Sequence, residues 1–332
     1  MKLIRKWMAL LCVACTVAVS FTGCTVNDHI VYFSSGAGFF NVFRIGDLKC
    51  SSKEARVYLV NYKNLYGNVG GISLWDGDFD TSSMEASVKD AVLSHLSTVY
   101  SFDLYARDQK ITLTKKEQQA VEEAAEEYYE SLTKAEQKYF RVSESDIRKM
   151  YEHYVLAEKV YFTLMDTVDA EVSEDEARVM DAYVLRVSDA SDAKLVSNKL
   201  AAGYDFEVLV NTYSEVDKNV VSFGRHTYSD EIEDVVFQLN NGEVSPLLKD
   251  EDNGYFYYFQ CVNKYNAELS EANKSNVISE RKEALVEEII KNQNVTYYSH
   301  LNEKLWDKMS VDVDDEIKTN TFFTVLNNHI SY

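Results

Sequence analysis

EIEDVVFQLNNGEVSPLL, residues 231–248, contains Pro246, the one proline in a chain of 332 residues. Its first half carries an apolar helical face through Ile232, Val236 and Leu239. Asn240-Asn241-Gly242 is a polar stop. Glu243-Val244-Ser245-Pro246 then reads as a turn into a strand, where a fixed φ suits the chain. The run that follows, GYFYYFQCV from Gly254, reads as an aromatic strand. Upstream, MDAYVLRV from Met180 reads as a strand, Asp189 to Ala202 as a helix halted at Gly203, and Phe206 to Tyr213 as a second helix. The order strand, helix, helix, helix, strand predicts a compact α/β unit of about 85 residues.

The rest of the chain is long enough for a second domain, since single cores seldom exceed about 250–300 residues. Hydrophobic residues make up 46% and can fill two cores. With 54 acidic against 34 basic side chains, the formal charge of −20 repels phosphate backbones, so no nucleic-acid partner is expected. Residues 1–23 read as an export signal: a basic start (Lys2, Arg5, Lys6), an apolar stretch from Met8 to about Val19, then small residues before Cys24. The Phe21-Thr22-Gly23-Cys24 ending resembles a lipobox, which implies acylation of Cys24, with palmitate among the acyl chains, and a membrane anchor. A plain secretory signal or an N-terminal membrane helix are the alternatives, although the apolar run is shorter than the ~20 residues a span requires. With Cys12 and Cys15 in the signal, Cys50 and Cys261 remain, too few for a disulfide framework or a Cys-x-x-Cys site. Free buried thiols are the expectation.

Residues 24–41, with their Ser-Ser-Gly-Ala-Gly core, read as a tether. Residues 42–172 read as a mainly helical domain. NVFRIGDLKC gives two short strands around Gly46-Asp47, and Ser51 to Glu54 is a capping box that opens a helix ending near Gly67. Val88, Val92, Leu96, Val99 and Phe102 form one stripe of a long helix. A further helix opens at the Thr114–Glu117 box. Another, from about Ser145, presents Ile147, Met150, Tyr151, Tyr154, Leu156 and Val160. Glu122, Glu123, Glu126, Glu127 and Glu130 read as a solvated face rather than a cation site. Ser173 to Glu176 is another capping box, at the start of the α/β unit (173–265). Residues 266–316 are mainly helical again, and 317–332 read as a loosely attached tail.

The α/β unit resembles the parvulin-type peptidyl-prolyl isomerase domain. The pieces that carry the resemblance are Ala182-Tyr183-Val184-Leu185, Gly203-Tyr204-Asp205-Phe206, Tyr213-Ser214, Phe223-Gly224, the helix Ile232 to Leu239, Gly242-Glu243-Val244-Ser245 and Gly254-Tyr255-Phe256. Each is weak alone, and seven in order are fairly specific. A lipid-anchored chain with helices flanking such a unit is similar to the extracytoplasmic foldases of the PrsA and SurA type. That resemblance implies an α+β fold, in which a helical chaperone-like module of N-terminal helices and a returning C-terminal helix carries an inserted parvulin-like domain of about four strands.

The resemblance further implies an enzyme without a cofactor or metal, which acts on proline-containing segments of unfolded or nascent exported polypeptides. Such an enzyme lowers a rotation barrier of about 18–20 kcal/mol by desolvating the amide and gripping the proline ring. The two family histidines correspond to Tyr183 and Phe256. The acid or thiol after Tyr-Ser falls at Val216 or Asp217. The apolar cup corresponds to Phe223, Tyr228, Ile232 and Phe237. The resemblance thus assigns catalysis to Tyr183, Asp217, Tyr228 and Phe256, and substrate binding to Phe223, Tyr228, Ile232 and Phe237. Phe223, Ile232, Phe237 and Phe256 read equally well as core, and His226 reads as a loop residue. With both imidazoles replaced, the alternatives are a non-catalytic holdase and a surface lipoprotein for adhesion or ligand capture. No Gly-x-Ser-x-Gly, His-Glu-x-x-His or P-loop pattern is present.

Overall fold

A computed structural model describes residues 40–69, 72–73, 81–217 and 219–330. The leader, Cys24 and most of the tether lie outside the described residues. Among those described, no helix is long and apolar enough to cross a membrane. No group of His, Cys, Asp and Glu there could hold a metal ion. The chain divides into two compact units, Met1–Thr167 with Glu283–Tyr332, and Val168–Lys282.

The first unit opens with a hairpin of β1 (Asn41–Ile45) and β2 (Leu48–Ser51). Gly46 makes its turn at φ +59, a conformation that suits glycine. Helix α1 (Ser52–Tyr66) starts at the Ser51 side chain, which accepts the Glu54 amide at 3.2 Å. The Glu54 carboxylate does not close the box; it turns inward and accepts the Tyr100 hydroxyl at 2.7 Å. A short pair, β3 (Asn68–Val69) and β4 (Ile72–Ser73), follows. Four helices come next: α2 (Thr81–Asp108), α3 (Lys115–Ser131), α4 (Lys134–Phe140) and α5 (Glu144–Met165). Reciprocal capping boxes open α3, α4 and α5 at Thr114, Thr133 and Ser143. The stripe of α2 is buried at Val92, Leu96, Val99 and Phe102, with Val88 at its margin. Glu122, Glu123, Glu126, Glu127 and Glu130 of α3 are exposed.

The C-terminal segment is no loose tail. Residues Phe322–His329 form a helix, fully buried at Phe322 and Leu326. The Phe322 ring packs against Tyr58, Tyr128 and Tyr151 at 5.3, 5.1 and 4.5 Å. Its amide donates to buried Asn61 at 3.0 Å, and its carbonyl accepts the Tyr151 hydroxyl at 2.6 Å. Just before it, the Glu136 carboxylate accepts the amides of Lys318 and Thr319 at 3.0 and 2.7 Å. Burying one phenylalanine stabilises by roughly 1.5–3 kcal/mol, so this segment is part of the core. β9 (Ser299–Leu301) pairs with β1, which ties the two ends of the unit into one sheet.

The second unit is built on a four-stranded antiparallel sheet in the order β6-β5-β8-β7. Its strands are β5 (Met180–Val187), β6 (Val221–Phe223), β7 (Leu248–Lys249) and β8 (Phe256–Asn263). Helices α6 (Ala190–Ala201) and α7 (Phe206–Tyr213) pack on one face, and α8 (Asp230–Val236) on the other. α9 (Ala267–Thr296) starts in this unit and ends in the first, where α10 (Glu303–Asp307) and then α11 (Phe322–His329) follow. Ser173 and Glu176 exchange the two capping-box bonds, yet only a turn follows, and Arg281 takes the Glu176 carboxylate at 2.5 Å. Cys50 and Cys261 are free and buried, one in each unit.

Glu158 on α5 is a strongly displaced carboxyl. Burial pushes it from the usual 4.5 up to about 8, with the Tyr154 hydroxyl opposing. Between those values the folded chain keeps a proton that the unfolded chain has lost, so stability falls as pH rises through that window. Urea denaturation at pH 5, 6.5 and 8 should show this fall. Glu158→Gln should flatten it and stabilise the protein by about 1 kcal/mol or more at pH 8.

Candidate functional site

The site grows from the pairing of β5 with β8. Val184 stands opposite Phe259 and Arg186 opposite Tyr257, while Leu185 faces Tyr258 and Val187 faces Phe256. Side chains alternate between faces along a strand, and directly opposed residues share a face. Arg186, Tyr257, Val184 and Phe259 therefore lie on the α8 face. Tyr183, opposite Gln260, and Phe256 lie with α6 and α7.

The α8 face carries an aromatic cluster. The Tyr228 ring meets Phe223, Phe259 and Tyr257 edge-on, with centroids 5.1, 5.0 and 5.7 Å away. Tyr257 and Phe259 stack at 5.9 Å, and Phe223 backs onto Phe237 at 5.8 Å. Such geometries match the quadrupoles of the rings and fix their orientation. Phe223, Ile232 and Phe237 are closed off, at 6%, 1% and 2% exposure. The guanidinium groups of Arg225 and Arg178 cover the Phe237 ring at 4.2 and 5.4 Å. These three residues are the floor. Tyr228, Tyr255, Val216, Leu248 and Arg186 are half-buried, so the cluster reaches the surface on their side.

A short loop presents Tyr228. His226 has φ +65, and the Thr227 hydroxyl donates to the Gly224 carbonyl at 2.9 Å. The buried Glu233 carboxylate on α8 accepts the amides of Thr227 and Tyr228 at 2.8 and 3.0 Å. Two charge-assisted bonds to one oxygen hold the loop against the helix that follows it. At Gly224 a Cβ would stand 3.0 Å from the Asn273 side-chain amide, a close approach that favours glycine. Across the sheet, Ser245 returns the chain to β8: its amide donates to the Phe259 carbonyl at 2.8 Å and its hydroxyl accepts the Phe259 amide at 2.9 Å. Pro246 follows, exposed, as the chain turns toward β7. The Tyr213-Ser214 pair does similar work on β5, where the Ser214 hydroxyl accepts the Arg186 amide at 3.3 Å and donates to the Val184 carbonyl at 3.2 Å.

On the open side of the cluster the polar side chains are phenols and the Arg186 guanidinium, with the Glu233 carboxylate behind the loop. Burial pushes Tyr228 up to about 12, with Tyr257 and Glu233 adding to the rise and Arg186 opposing it. Burial also raises Tyr257, opposed by a hydrogen bond from Arg186. Both phenols are thus neutral hydroxyls at neutral pH. The Arg186 guanidinium lies over the Tyr255 ring at 4.3 Å.

The expected set is therefore divided. Phe223, Tyr228, Ile232 and Phe237 come together, with only Tyr228 open to solvent among them. Tyr183 is on the far face, its phenol raised by desolvation and by Glu207 on α7. Phe256, opposite Val187 and four positions along the ladder, is on the same face among the α6 and α7 side chains. Asp217 is exposed and accepts the Asn219 amide and side chain at 3.0 and 2.8 Å. His226 is exposed. The residues that do share the face with Tyr228, and that the motifs did not point to, are Tyr257, Phe259 and Arg186.

No family model matches the chain, and neither does any curated protein. Solved structures similar to it are PrsA- and SurA-like foldases. The peptidylprolyl isomerase PrsA from Bacillus cereus is 20% identical, with 78% of this chain and 96% of that chain covered and a TM-score of 0.40. The foldase protein PrsA from Streptococcus pneumoniae is 15% identical, covering 76% and 98%, at a TM-score of 0.33. A SurA-like chaperone of Campylobacter jejuni is 9% identical, covering 79% and 99%, at 0.28. These similarities are distant; the sheet rests on its own strand pairing and the chemistry on its own side chains.

The Glu233 bonds give the loop a testable signature. Glu233→Gln should speed hydrogen exchange of the Thr227 and Tyr228 amides about tenfold or more, because a neutral amide oxygen accepts more weakly than a carboxylate. Mass-spectrometric or NMR exchange on the full chain measures it, and unchanged protection at those two amides contradicts the assignment.

Proposed function

We propose that the chain is an exported, membrane-tethered folding assistant that accelerates cis-trans isomerisation of X-Pro bonds in client polypeptides. The observation that carries this reading is the aromatic face around Tyr228 and Tyr257, whose polar groups are phenols, the Arg186 guanidinium and the buried Glu233 carboxylate behind the loop, with its edge half-buried at Tyr228. A proline ring is apolar and fits against aromatic faces. The X-Pro amide next to it leaves water and gains the phenolic and guanidinium donors. Planar amide resonance separates charge, and a low-dielectric surround disfavours that separation, so the twisted form gains relative to the planar one. No covalent bond forms, and only interactions stronger in the twisted form speed the reaction. In this reading Tyr228 and Tyr257 hold the ring over the floor of Phe223, Ile232, Phe237 and Phe259. Tyr183, Phe256 and Asp217 lie outside the site. The lipid on Cys24 keeps the protein at the outer face of the membrane, where exported chains emerge.

A second reading, a holdase, is favoured by one observation. Leu195, Tyr204 and Val208 on and between α6 and α7 are 40%, 52% and 56% exposed, apolar surface of the kind that unfolded segments bind. The two readings part on a single assay. NMR exchange spectroscopy on a short Ala-Pro peptide should show acceleration by the full chain, cut about tenfold or more by Tyr228→Ala and unchanged by Tyr183→Phe. Absence of acceleration, with suppressed aggregation of an unfolded client, contradicts the isomerase and supports the holdase.

A further inference from the structure

In the first unit the stretch 317–322 is gripped by its main chain. Asn64 on α1 donates to the carbonyls of Ile317 and Thr319 at 3.2 and 2.9 Å, and the Glu136 carboxylate on α4 accepts the amides of Lys318 and Thr319. Buried Asn61 is oriented by its own surroundings: its amide group donates to the Val57 carbonyl and the Tyr128 hydroxyl at 2.8 and 2.9 Å, which leaves its oxygen for the Phe322 amide. The Tyr151 hydroxyl donates to the Phe322 carbonyl. Among the described residues no backbone-to-backbone bond joins 317–330 to the rest of the unit. Side chains of the stretch are enclosed only at its ends. Ile317, Phe322 and Phe323 are buried, whereas Lys318, Asn320 and Thr321 between them are exposed.

Bound peptides are held this way, by main-chain hydrogen bonds between a few side-chain sockets. The sockets here belong to other helices. Phe323 lies against Tyr58, Tyr62 and Tyr154 at 5.4, 5.7 and 5.5 Å and stacks on His95 at 5.9 Å. The fit is incomplete, since the Tyr58 hydroxyl is buried there without a hydrogen-bond partner. We propose that α1, α3, α4 and α5 form a peptide-binding groove covered by the chain's own residues 317–330. It takes unfolded segments of other chains that carry an aliphatic residue five positions before two adjacent aromatic residues. The chain's own segment is a tethered competitor at an effective concentration of the order of millimolar, so the groove stays covered until a segment of that pattern displaces it. The groove lies in the first unit and does not rest on the isomerase reading of the second.

The test uses a fluorescently labelled peptide of residues 316–330, EIKTNTFFTVLNNHI, and the full chain. Phe322→Ala with Phe323→Ala weakens the chain's own occupant and leaves the groove unaltered. By anisotropy this double variant should bind the peptide about tenfold or more tightly than the unaltered chain does. Adding Asn64→Ala, which removes two main-chain contacts, should weaken binding about fivefold or more. A second peptide with the exposed positions Lys318, Asn320, Thr321, Thr324 and Asn328 replaced by serine should bind within about threefold of the first, because the groove reads main chain there. A third with both phenylalanines replaced by serine should not bind. Where the double variant is partly unfolded, the first two peptides should raise its Tm, since both occupy the folded groove. Binding no tighter than to the unaltered chain together with an unmoved Tm overturns the proposal. So does binding of the first peptide that the second does not share, which would make 317–330 a part of this fold alone.

Discussion

Arg186 stands opposite Tyr257 because β5 and β8 pair antiparallel from Tyr183–Gln260 to Val187–Phe256, and everything proposed for the second unit depends on that register. A strand places alternate side chains on opposite faces, so moving the pairing by one residue would exchange the whole aromatic set for its neighbours. In the register adopted, Tyr257 and Phe259 meet Tyr228 and Phe223, while Phe256 and Tyr258 go to the face of α6 and α7. The Tyr258 hydroxyl settles there on the Ala193 carbonyl at 2.9 Å. Ser245 and Ser214 reinforce the register from the flanks by bonding the backbones of β8 and β5.

The second constraint is the carboxylate of Glu233. A half-buried tyrosine at the tip of a loop loses side-chain freedom when it is fixed. Here two amide bonds to one buried oxygen, the left-handed turn at His226 and three edge-on ring contacts fix it together. Tyr228 is thereby pre-organised rather than recruited by the ligand, which lowers the cost of binding. The floor beneath it is closed by Arg225 and Arg178 over Phe237, so the proline-binding surface is a shallow one made by the wall and not a deep cup.

The sequence makes the elements legible wherever local chemistry sets them. Thr114 and Glu117 cap α3 as their spacing predicts, Gly46 turns the first hairpin, and Gly203 follows α6 with φ +82. The short helix and the polar stop are as read, although the helix itself ends at Val236 and the turn falls at Asn241-Gly242 rather than at Pro246. Faces are another matter. Phe256, Tyr257, Tyr258 and Phe259 are four aromatics in a row, so no polar residue marks which pair looks toward α8; Phe256 shares the face of Tyr183, and Tyr257 that of Tyr228. A register shift between Asp181 and Ala182 similarly hides the phase of β5. The C-terminal helix was illegible for a different reason. Phe322 finds its partners at Asn61, Tyr128 and Tyr151, far away in the chain, and a polar Asn-Asn-His ending gives no local sign of them. Ser173 and Glu176 carry a full capping pattern without a helix, because Arg281 supplies the tertiary contact that ends the segment as a turn.

The most direct measurement is of intermolecular NOEs from the ring protons of a bound proline peptide to protein side chains in the full chain. Contacts to the rings of Tyr228 and Tyr257 are expected. Contacts to Tyr183 or Phe256 instead would place the ligand on the other face of the sheet and contradict that site.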